Sequence, residues 1–206
     1  MTATSLVGVD VSRETLERLT TLQRLLTKWN PAINLVAKST MAEAWDRHIL
    51  DSAQLFRVAP ANVTHWADLG SGGGFPGLVI AALSAEQDPA RRVTLVEADQ
   101  RKSTFLRQAA RELALSNVTV LSDRIEKLPP LQADVLSARA LAALPALCDF
   151  AVRHMAADGL ALFPKGAQYR DELAAASRDW RFDVTTYPSE TDPSAVVLAM
   201  KAIQHV

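Results

Sequence analysis

The fold is decided by the stretch Asp68-Leu69-Gly70-Ser71-Gly72-Gly73-Gly74. A β-rich run, Thr64 to Leu69, leads into it, and a stretch opened by Pro76 that is typical of a helix follows it. Glycine tolerates positive φ angles and allows a ligand to approach the backbone closely. The pattern therefore predicts a strand, a tight turn and a helix, with the turn forming a cradle for a ligand.

Short β-rich runs alternate with helical stretches on both sides of this turn. Such alternation is typical of βαβ units and of a mostly parallel sheet that is covered on both faces. The last two runs are joined by a turn-rich segment alone, which predicts an antiparallel hairpin at one edge of a Rossmann-like, seven-stranded α/β sheet. The predicted strands are Thr64 to Leu69, Arg92 to Glu97, Val118 to Leu121, Asp134 to Ser137, Gly159 to Pro164, Arg181 to Tyr187 and Ala195 to Ala202.

The first part of the chain has a helical pattern instead. Apolar residues from Leu16 to Trp29 recur at intervals of three and four, which predicts a helix that begins after Ser12. We expect Asn30-Pro31 to end this helix. Thr40 followed by Glu43 fits a capping box, which predicts the start of a second helix there.

Length and composition bound the domain organisation. A chain of 206 residues, 49% hydrophobic and 22% charged, is long enough for one substantial core plus a small accessory unit. Pro60-Ala61-Asn62 is a natural seam where the helical pattern changes to the alternating one. Residues 1–60 are therefore interpreted as a helical extension packed on the core, and residues 61–206 as the main α/β domain.

Charge, cysteine content and hydropathy narrow the functional classes. The net charge of -1 provides no overall basic field, so any contact with nucleic acid must come from a local basic patch. Cys148 is the single cysteine, which excludes an intramolecular disulfide and a paired-cysteine zinc motif, and we expect no metal. The sequence has neither a signal-peptide pattern nor an apolar stretch of membrane-spanning length. We therefore expect a cytoplasmic protein that does not bind membranes, with a monomer as the default state.

The glycine turn and the end of the next strand together indicate the ligand. A dinucleotide fingerprint needs a glycine where Phe75 stands, and a phosphate-binding loop needs a Gly-Lys-Ser or Gly-Lys-Thr ending that is absent. An S-adenosylmethionine loop has no pyrophosphate to neutralise, so it tolerates bulk at Phe75. Glu97 ends the second predicted strand, where a carboxylate can accept hydrogen bonds from both ribose hydroxyls. The alternative is an ordinary tight turn with a solvated carboxylate.

Further motifs, spread over most of the chain, resemble a known family. The family is that of the bacterial small-subunit ribosomal RNA guanine-N7 methyltransferases, also called the glucose-inhibited division protein B family. The matching pieces are Asn34-Leu35, Arg47-His48-Ile49-Leu50-Asp51-Ser52, the turn Gly70 to Gly77 with its Phe75-Pro76-Gly77 ending, Arg101-Lys102, Phe105-Leu106, Arg124-Ile125-Glu126, Ser137-Ala138-Arg139-Ala140 and Lys165-Gly166.

The resemblance implies a class I S-adenosylmethionine-dependent methyltransferase fold with a helical N-terminal extension. It further implies methyl transfer to N7 of one guanine in the decoding-centre loop of 16S rRNA, with 16S rRNA or the small ribosomal subunit as partner. For the cofactor site it implies that Gly70 and Phe75 line the cofactor, that Ile125 and Glu126 flank its adenine, and that Arg139 lies where cofactor and target base meet. Gly72 and Gly74 complete the predicted cradle.

The residue content agrees with a guanine N7 target. This nitrogen has an in-plane lone pair and no proton, so its methylation needs no general base. The sequence contains neither an Asn-Pro-Pro-Tyr nor an Asp-Pro-Pro-Tyr tetrad, and no cysteine pair for attack on a pyrimidine carbon. Positioning is the remaining task, and Arg139, at the end of the fourth predicted strand, is the candidate catalytic residue. Its guanidinium could bind guanine O6 or the methionine carboxylate, or simply pair with a surface carboxylate.

Two further groups are candidate RNA-binding residues. Asn34, Arg47, His48 and Asp51 form the first, since the last three lie within one helical turn and could grip RNA or cover the cofactor. The alternative for this group is an Arg47–Asp51 ion pair beside a structural histidine. Lys165, after the fifth predicted strand, could reach an RNA phosphate or be merely solvated.

Two other functions remain open at this stage. One is a small-molecule methyltransferase that uses S-adenosylmethionine, with the N-terminal helices as a lid. The other is a nonenzymatic protein that binds S-adenosylmethionine and acts in ribosome assembly. A nicotinamide-dependent oxidoreductase is disfavoured by Phe75.

Overall fold

The computed structural model describes residues 4–206. Its strands are β1 (Thr4–Leu6), β2 (Val9–Val11), β3 (His65–Leu69), β4 (Arg92–Val96), β5 (Val118–Leu121), β6 (Ala133–Ala138), β7 (Met155–Lys165), β8 (Trp180–Pro188) and β9 (Val196–His205). Its α-helices are α1 (Arg13–Ile33), α2 (Asp51–Val58), α3 (Gly77–Gln87), α4 (Gln100–Glu112), α5 (Leu144–His154) and α6 (Tyr169–Ala176). Short 3-10 helices cover Lys38–Glu43 and Ile125–Lys127, and a π-helical segment covers Trp45–Leu50.

Seven strands form one sheet in the order β5-β4-β3-β6-β7-β9-β8. Pairing is parallel from β5 to β7, and β9 runs antiparallel to both β7 and β8. The predicted seven-stranded α/β sheet with a terminal antiparallel hairpin is thereby confirmed. Strand order reverses between β3 and β6, and in open α/β sheets the carboxyl ends of strands at such a reversal bound the ligand crevice.

The burial of the central elements explains why the residue pattern predicts the sheet. All five residues of β3 are buried, as are residues 77–84 of α3, because a central parallel strand is covered by helices on both faces. Elements with weaker signals were not predicted. These are the β1–β2 hairpin, with three residues in each strand, and α6, of which Ala176 is the single buried residue.

The N-terminal helices depart from prediction in two places. Ser12 caps α1 as expected, since its side chain accepts a hydrogen bond from the Thr15 N–H. The prediction that Asn30-Pro31 ends the helix is wrong, because α1 continues to Ile33 and ends at Asn34 in the left-handed conformation. A proline this close to the helix end removes little hydrogen bonding, and Asn34 tolerates the left-handed cap.

The predicted capping box at Thr40 is also wrong. Thr40 lies inside the 3-10 helix, and a π-helical segment follows before α2 begins at Asp51. The Thr40 hydroxyl donates to the Ala37 carbonyl instead of accepting from a helix N–H, and it also contacts His48 Nε2. A tertiary contact has therefore replaced the local cap that the spacing suggested.

One hydrophobic core joins the N-terminal helices to the sheet. Leu19, Leu22 and Leu26 of α1 are fully buried or nearly so, in the same cluster as Trp66 of β3 and Phe105 of α4. Trp29 meets the Phe105 ring edge-on at a centroid distance of 5.8 Å. A second cluster, with Phe163 and Met200 at its centre, fills the opposite face of the sheet under α5.

Among the described residues, no helix has both the length and the apolar character needed to cross a membrane.

The shared core predicts that residues 1–60 and the sheet unfold together. Leu22→Ala removes a fully buried side chain and should lower the free energy of unfolding by about 2–5 kcal/mol. Chemical denaturation followed by tryptophan fluorescence and by circular dichroism should give one coincident transition, shifted to lower denaturant. Lys28→Ala, on the exposed face of α1, is the matched control and should change stability by less than about 0.5 kcal/mol. Two separate transitions, with one of them unshifted, would contradict the shared core.

Candidate active site

The glycine turn closes tightly above the end of β3. Its Gly74 N–H donates to the Ser71 carbonyl at 2.7 Å, and Gly70 has a φ of 66°. A Cβ at Gly70 would lie 2.6 Å from Leu141 Cδ1, and one at Gly74 would lie 2.4 Å from Leu78 Cδ1. Side chains at these two positions would collide with packed leucines, so the turn requires glycine both for its dihedral angles and for its packing.

Asp68 anchors this turn from below. It is fully buried, and its carboxylate accepts hydrogen bonds from Ser137 Oγ at 2.8 Å and from the Gly77 N–H at 3.2 Å. Ser137 in turn accepts from Trp66 Nε1 at 2.9 Å. Burial away from water raises the Asp68 pKa to about 6. Asp68 therefore connects β3, β6 and the start of α3, and it lies beneath the ligand cradle instead of on its surface.

A cavity of about 990 Å³ opens at the carboxyl ends of β3, β6 and β7. Its wall combines the glycine turn, the segment after β6, the start of the loop after β7, the β8–β9 loop and the N-terminal segments around residues 34–37 and 47–51. The predicted site residues on this wall are Asn34, Arg47, His48, Asp51, Gly70, Gly72, Phe75, Arg139 and Lys165. The predicted residues Gly74, Glu97, Ile125 and Glu126 are not part of the wall.

Glu97 lies just beyond β4 and holds the glycine turn from the side. One carboxylate oxygen accepts from the Gly72 N–H at 2.9 Å, and the other accepts from the Asp99 N–H at 2.8 Å. Asp99 is itself the N-cap of α4, where its side chain accepts from the N–H groups of Arg101 and Lys102. The Glu97 carboxylate thus touches the predicted cradle directly, although it lies outside the cavity wall.

Ile125 and Glu126 lie in a short 3-10 helix after β5. Ile125 is buried, and its carbonyl accepts a hydrogen bond from His154 Nε2 at 3.1 Å, whereas Glu126 is exposed. Burial is the main cause that lowers the pKa of His154. The neutral ring donates through Nε2 and so holds the 3-10 segment against α5.

The Arg139 guanidinium makes three hydrogen bonds on the wall of the cavity. Its Nη1 donates to the Arg47 carbonyl at 3.0 Å and to Asp51 Oδ2 at 3.3 Å, and its Nη2 donates to His48 Nδ1 at 3.0 Å. The guanidinium carbon also lies 5.4 Å from the centre of the Phe75 ring. The side chain is 17% exposed, and burial lowers its pKa from a high ordinary value. Because an arginine guanidinium is not deprotonated in proteins, Arg139 stays charged, and it ties the end of β6 to the π-helical segment.

These contacts determine the protonation of His48. Arginine has hydrogen-bond donors and no acceptor, so His48 Nδ1 must be the unprotonated acceptor. Nε2 then carries the proton and donates to Thr40 Oγ1 at 2.8 Å, while the Thr40 hydroxyl donates to the Ala37 carbonyl. Burial, followed by the charges of Arg139 and Arg47, lowers the His48 pKa to about 4. His48 is therefore a neutral link, stacked on Phe75 at 5.2 Å between ring centres.

Asp51 and Arg47 do not pair with each other, and each has other partners. Asp51 Oδ2 faces Arg139, and its Oδ1 accepts from Gln54 at 2.9 Å and from Thr191 Oγ1 at 3.1 Å. Arg47 Nη1 donates to Asp192 Oδ2 at 3.0 Å. The Arg47–Asp51 ion pair that helical spacing suggested is therefore wrong, because partners from β6 and from the β8–β9 loop replace it.

Asn34 and Lys165 are two further predicted residues that line the cavity. Asn34 is exposed as the left-handed cap of α1, and its position depends on buried Asn30, whose Oδ1 accepts from the Val36 N–H at 2.9 Å. Lys165 Nζ donates to Glu172 Oε2 at 2.6 Å and to the Ala142 carbonyl at 3.2 Å, and its side chain is 10% exposed. An ammonium group has three donors, and residues 4–206 provide partners for two of them, which leaves one donor for a ligand.

Sequence analysis missed several residues that the wall depends on. Thr40, Gln54, Glu172, Thr191 and Asp192 each bind a predicted site residue, at sequence separations between 3 and 145. No motif marks Gln54, Glu172, Thr191 or Asp192, and the motif at Thr40 predicted a helix cap instead. The contacts of Thr191 and Asp192 arise from the meeting of distant segments. In the described residues, no group of three or more histidine, cysteine or acidic side chains is arranged to hold a metal ion.

Comparison with known proteins decides the family. The profile of rRNA small subunit methyltransferase G matches residues 15–195. The chain belongs to this family. It is 54% identical over 201 residues to the ribosomal RNA small subunit methyltransferase G of Cereibacter sphaeroides, covering 98% of this chain and 97% of that relative. It is 52% identical to the protein of the same name from a Ruegeria species, covering 96% of each.

Solved structures support the fold. A SAM dependent methyltransferase from Aquifex aeolicus aligns with a TM-score of 0.59 at 14% identity, covering 77% of this chain and 92% of that one. This likeness confirms the class I methyltransferase fold. Membership of the family makes the chain a methyltransferase that uses S-adenosylmethionine as its cofactor. The glycine cradle, its adjacent Glu97 carboxylate and a cavity of about 990 Å³ fit this cofactor, since that volume lies in the range of small-molecule sites.

The His48 geometry predicts an unusual titration. Nitrogen-15 NMR of the imidazoles should show His48 as the neutral Nε2–H form at pH 6, titrating near pH 4. Because the unfolded state takes up this proton near pH 6.5 and the folded state does not, the free energy of unfolding should fall as pH drops from 6.5 to 4. In His48→Asn, whose Oδ1 can still accept from Arg139, this part of the decrease should be absent. A His48 pKa near 6.5 in the folded protein would contradict the assignment.

Proposed function

We propose that this protein transfers a methyl group from S-adenosylmethionine to N7 of a guanine in 16S rRNA, in the decoding-centre loop. The observation that carries the choice of N7 is the state of the acidic side chains on the cavity wall. Within the described residues, these are Asp51, Glu172 and Asp192, and each is hydrogen-bonded to a cationic side chain. A paired carboxylate is a poor general base. The wall therefore suits an acceptor that has a free lone pair and no proton to lose.

His48 supports the same choice of acceptor. Its only basic nitrogen, Nδ1, already accepts from Arg139, and its pKa of about 4 leaves it with little affinity for a proton. A reaction at an exocyclic amine or a ribose hydroxyl would require a proton acceptor near the methyl donor. The residues gathered here provide positioning instead, which is what methylation of N7 requires.

We assign the cofactor to the glycine turn and its neighbours. Gly70, Gly72 and Phe75 contribute the wall, with Gly74 closing the turn behind them. Glu97 is assigned to the ribose hydroxyls, because each of its oxygens can accept a second hydrogen bond while keeping its backbone partner. Ile125 and Glu126 are assigned to the adenine side. When bound, S-adenosylmethionine supplies a methyl group on a positively charged sulfur.

Arg139 is assigned the catalytic role of positioning. Arginine has five N–H groups, and within the described residues three of them are used in contacts to Arg47, Asp51 and His48. The remaining two can donate to guanine O6 or to the methionine carboxylate. Because three protein contacts hold the guanidinium, either acceptor would be bound by a donor whose orientation is already determined.

The remaining candidates are assigned to the RNA. Asn34 and Arg47 lie on exposed parts of the cavity wall, and Lys165 retains one donor for a phosphate. His48 and Asp51 act on RNA indirectly, by holding Arg139. We further propose that residues 1–60 form a helical extension packed on the methyltransferase domain formed by residues 61–206. We also propose that the protein acts as a cytoplasmic monomer on 16S rRNA or on the small subunit.

The direct test uses radiolabelled S-adenosylmethionine and separated ribosomal RNAs. We expect label in 16S rRNA alone, and nucleoside mass spectrometry should identify it as N7-methylguanosine at one site. Label that appears only in small molecules would favour the small-molecule methyltransferase. Cofactor binding without transfer to any acceptor, with naked RNA and small subunits both tested, would favour the nonenzymatic assembly factor.

Arg139→Lys tests the positioning role. Lysine keeps the charge but lacks the planar fork that reaches Arg47, Asp51 and His48 together, so kcat/KM should fall about 100-fold or more with the fold retained. Calorimetric titration with S-adenosylmethionine separates the two possible acceptors. Weaker cofactor binding indicates the methionine carboxylate, and unchanged binding indicates guanine O6. Arg111→Lys, on the exposed face of α4, should leave both quantities unchanged. Full activity in Arg139→Lys would contradict the role.

A further inference from the structure

The loop between β8 and β9 is bound to the N-terminal helices by side chains. Gln54 Oε1 accepts from the Glu190 N–H at 3.0 Å, and Asp51 accepts from Thr191 at 3.1 Å. Two ion pairs complete the contact. Arg57 pairs with Glu190, and Arg47 pairs with Asp192 at 3.0 Å. The loop therefore brings two carboxylates to the same face of the molecule, each against an arginine.

These two ion pairs differ in one respect. Arg47 and Asp192 both line the cavity that also contains Arg139, whereas Arg57 and Glu190 do not. The Arg47–Asp192 pair is also accessible, with 43% of the arginine side chain and 29% of the aspartate side chain exposed. An RNA strand that places a guanine in this cavity must therefore pass close to the Arg47–Asp192 pair.

A phosphate group can easily replace the carboxylate in the Arg47–Asp192 ion pair. Arginine binds a carboxylate and a phosphate by the same donor geometry, and an exposed ion pair contributes little to stability. A phosphodiester can thus replace the Asp192 carboxylate at Arg47 with little loss. Asp192 would keep a role after exchange, because its other oxygen accepts from the Ser194 N–H at 2.9 Å and from Ser194 Oγ at 2.7 Å.

We propose that Arg47 is a binding site for one phosphodiester of the RNA substrate, and that the Asp192 carboxylate competes with the RNA for it. This inference rests on the proposed function, since it presupposes an RNA acceptor. The competition lowers the affinity of the protein for any RNA strand. A strand therefore stays bound only where it also makes its other contacts with the protein. The Arg47 carbonyl accepts from Arg139, so the residue that binds the phosphate also holds the guanidinium that meets the base.

Asp192→Asn tests the competition with little disturbance of the loop. Asparagine Oδ1 can still accept from the Ser194 N–H, whereas the charge that pairs with Arg47 is lost. Fluorescence anisotropy with a labelled fragment of 16S rRNA at low salt should give a Kd lower by about two- to fivefold, the equivalent of one exposed ion pair. Asp192→Ser, whose hydroxyl can make a similar turn, should show the same gain in affinity. Agreement between the two variants would show that the gain is not caused by a property of asparagine.

Two controls make the result specific. Glu190→Gln removes the same charge from the same loop but from an ion pair outside the cavity, so its Kd should stay close to the wild-type value. In an Arg47→Gln background, Asp192→Asn should bring no gain, because the contested site has been removed. Equal gains from Asp192→Asn and Glu190→Gln, or no gain from Asp192→Asn, would overturn the competition.

Failure of the proposed function would be recognised separately. If the wild-type protein neither binds nor methylates 16S rRNA, the RNA substrate itself is wrong. If the wild-type protein methylates 16S rRNA and the Asp192 variants bind it no more tightly, only the competition at Arg47 is wrong. Thermal unfolding of each variant confirms that the measured protein is folded.

Discussion

The contacts of the Arg139 guanidinium hold the two halves of the site together. It extends from the end of β6 and reaches the Arg47 carbonyl, Asp51 and His48, all on the π-helical segment and the start of α2. Asp51 and His48 each have a further partner in another part of the chain. Asp51 accepts from Thr191 in the β8–β9 loop, and His48 donates to Thr40. A partly buried charge needs such partners, since leaving it unpaired is costly.

Below the Arg139 guanidinium, the glycine turn also depends on a buried polar group that needs hydrogen-bonding partners. Asp68 is fully buried, no cationic side chain of residues 4–206 forms an ion pair with it, and burial raises its pKa to about 6. Its hydrogen bonds to Ser137 and to the Gly77 N–H compensate in part for lost hydration. The turn is therefore held in place by hydrogen bonds from below and by Glu97 from the side. A rigid turn beside a fixed guanidinium is suited to positioning two reactants.

Sequence periodicity predicted the sheet well and the N-terminal segments poorly. Strands β3 and β4 are buried on both faces, so they must be apolar, and that requirement is visible in one sequence. The π-helical segment has no comparable signature, because its geometry follows from the contacts of His48 and Asp51 with Arg139. The end of α1 was misplaced for a related reason. Pro31 is tolerated in the last turn, where the buried Asn30 side chain organises the following loop.

By itself, the sequence determined the α/β fold, the glycine cradle, the absence of a disulfide and the family resemblance, since all of these follow from local residue patterns. Only the tertiary structure decided which charges meet. Arg47 pairs with Asp192 across 145 positions, and Arg139 pairs with Asp51 across 88. Spacing along a helix suggested Arg47 with Asp51 instead, because spacing reports neighbours on one element alone. Ion pairs form between whichever charges folding brings within contact distance, and here the closing β8–β9 loop and the end of β6 supplied the partners.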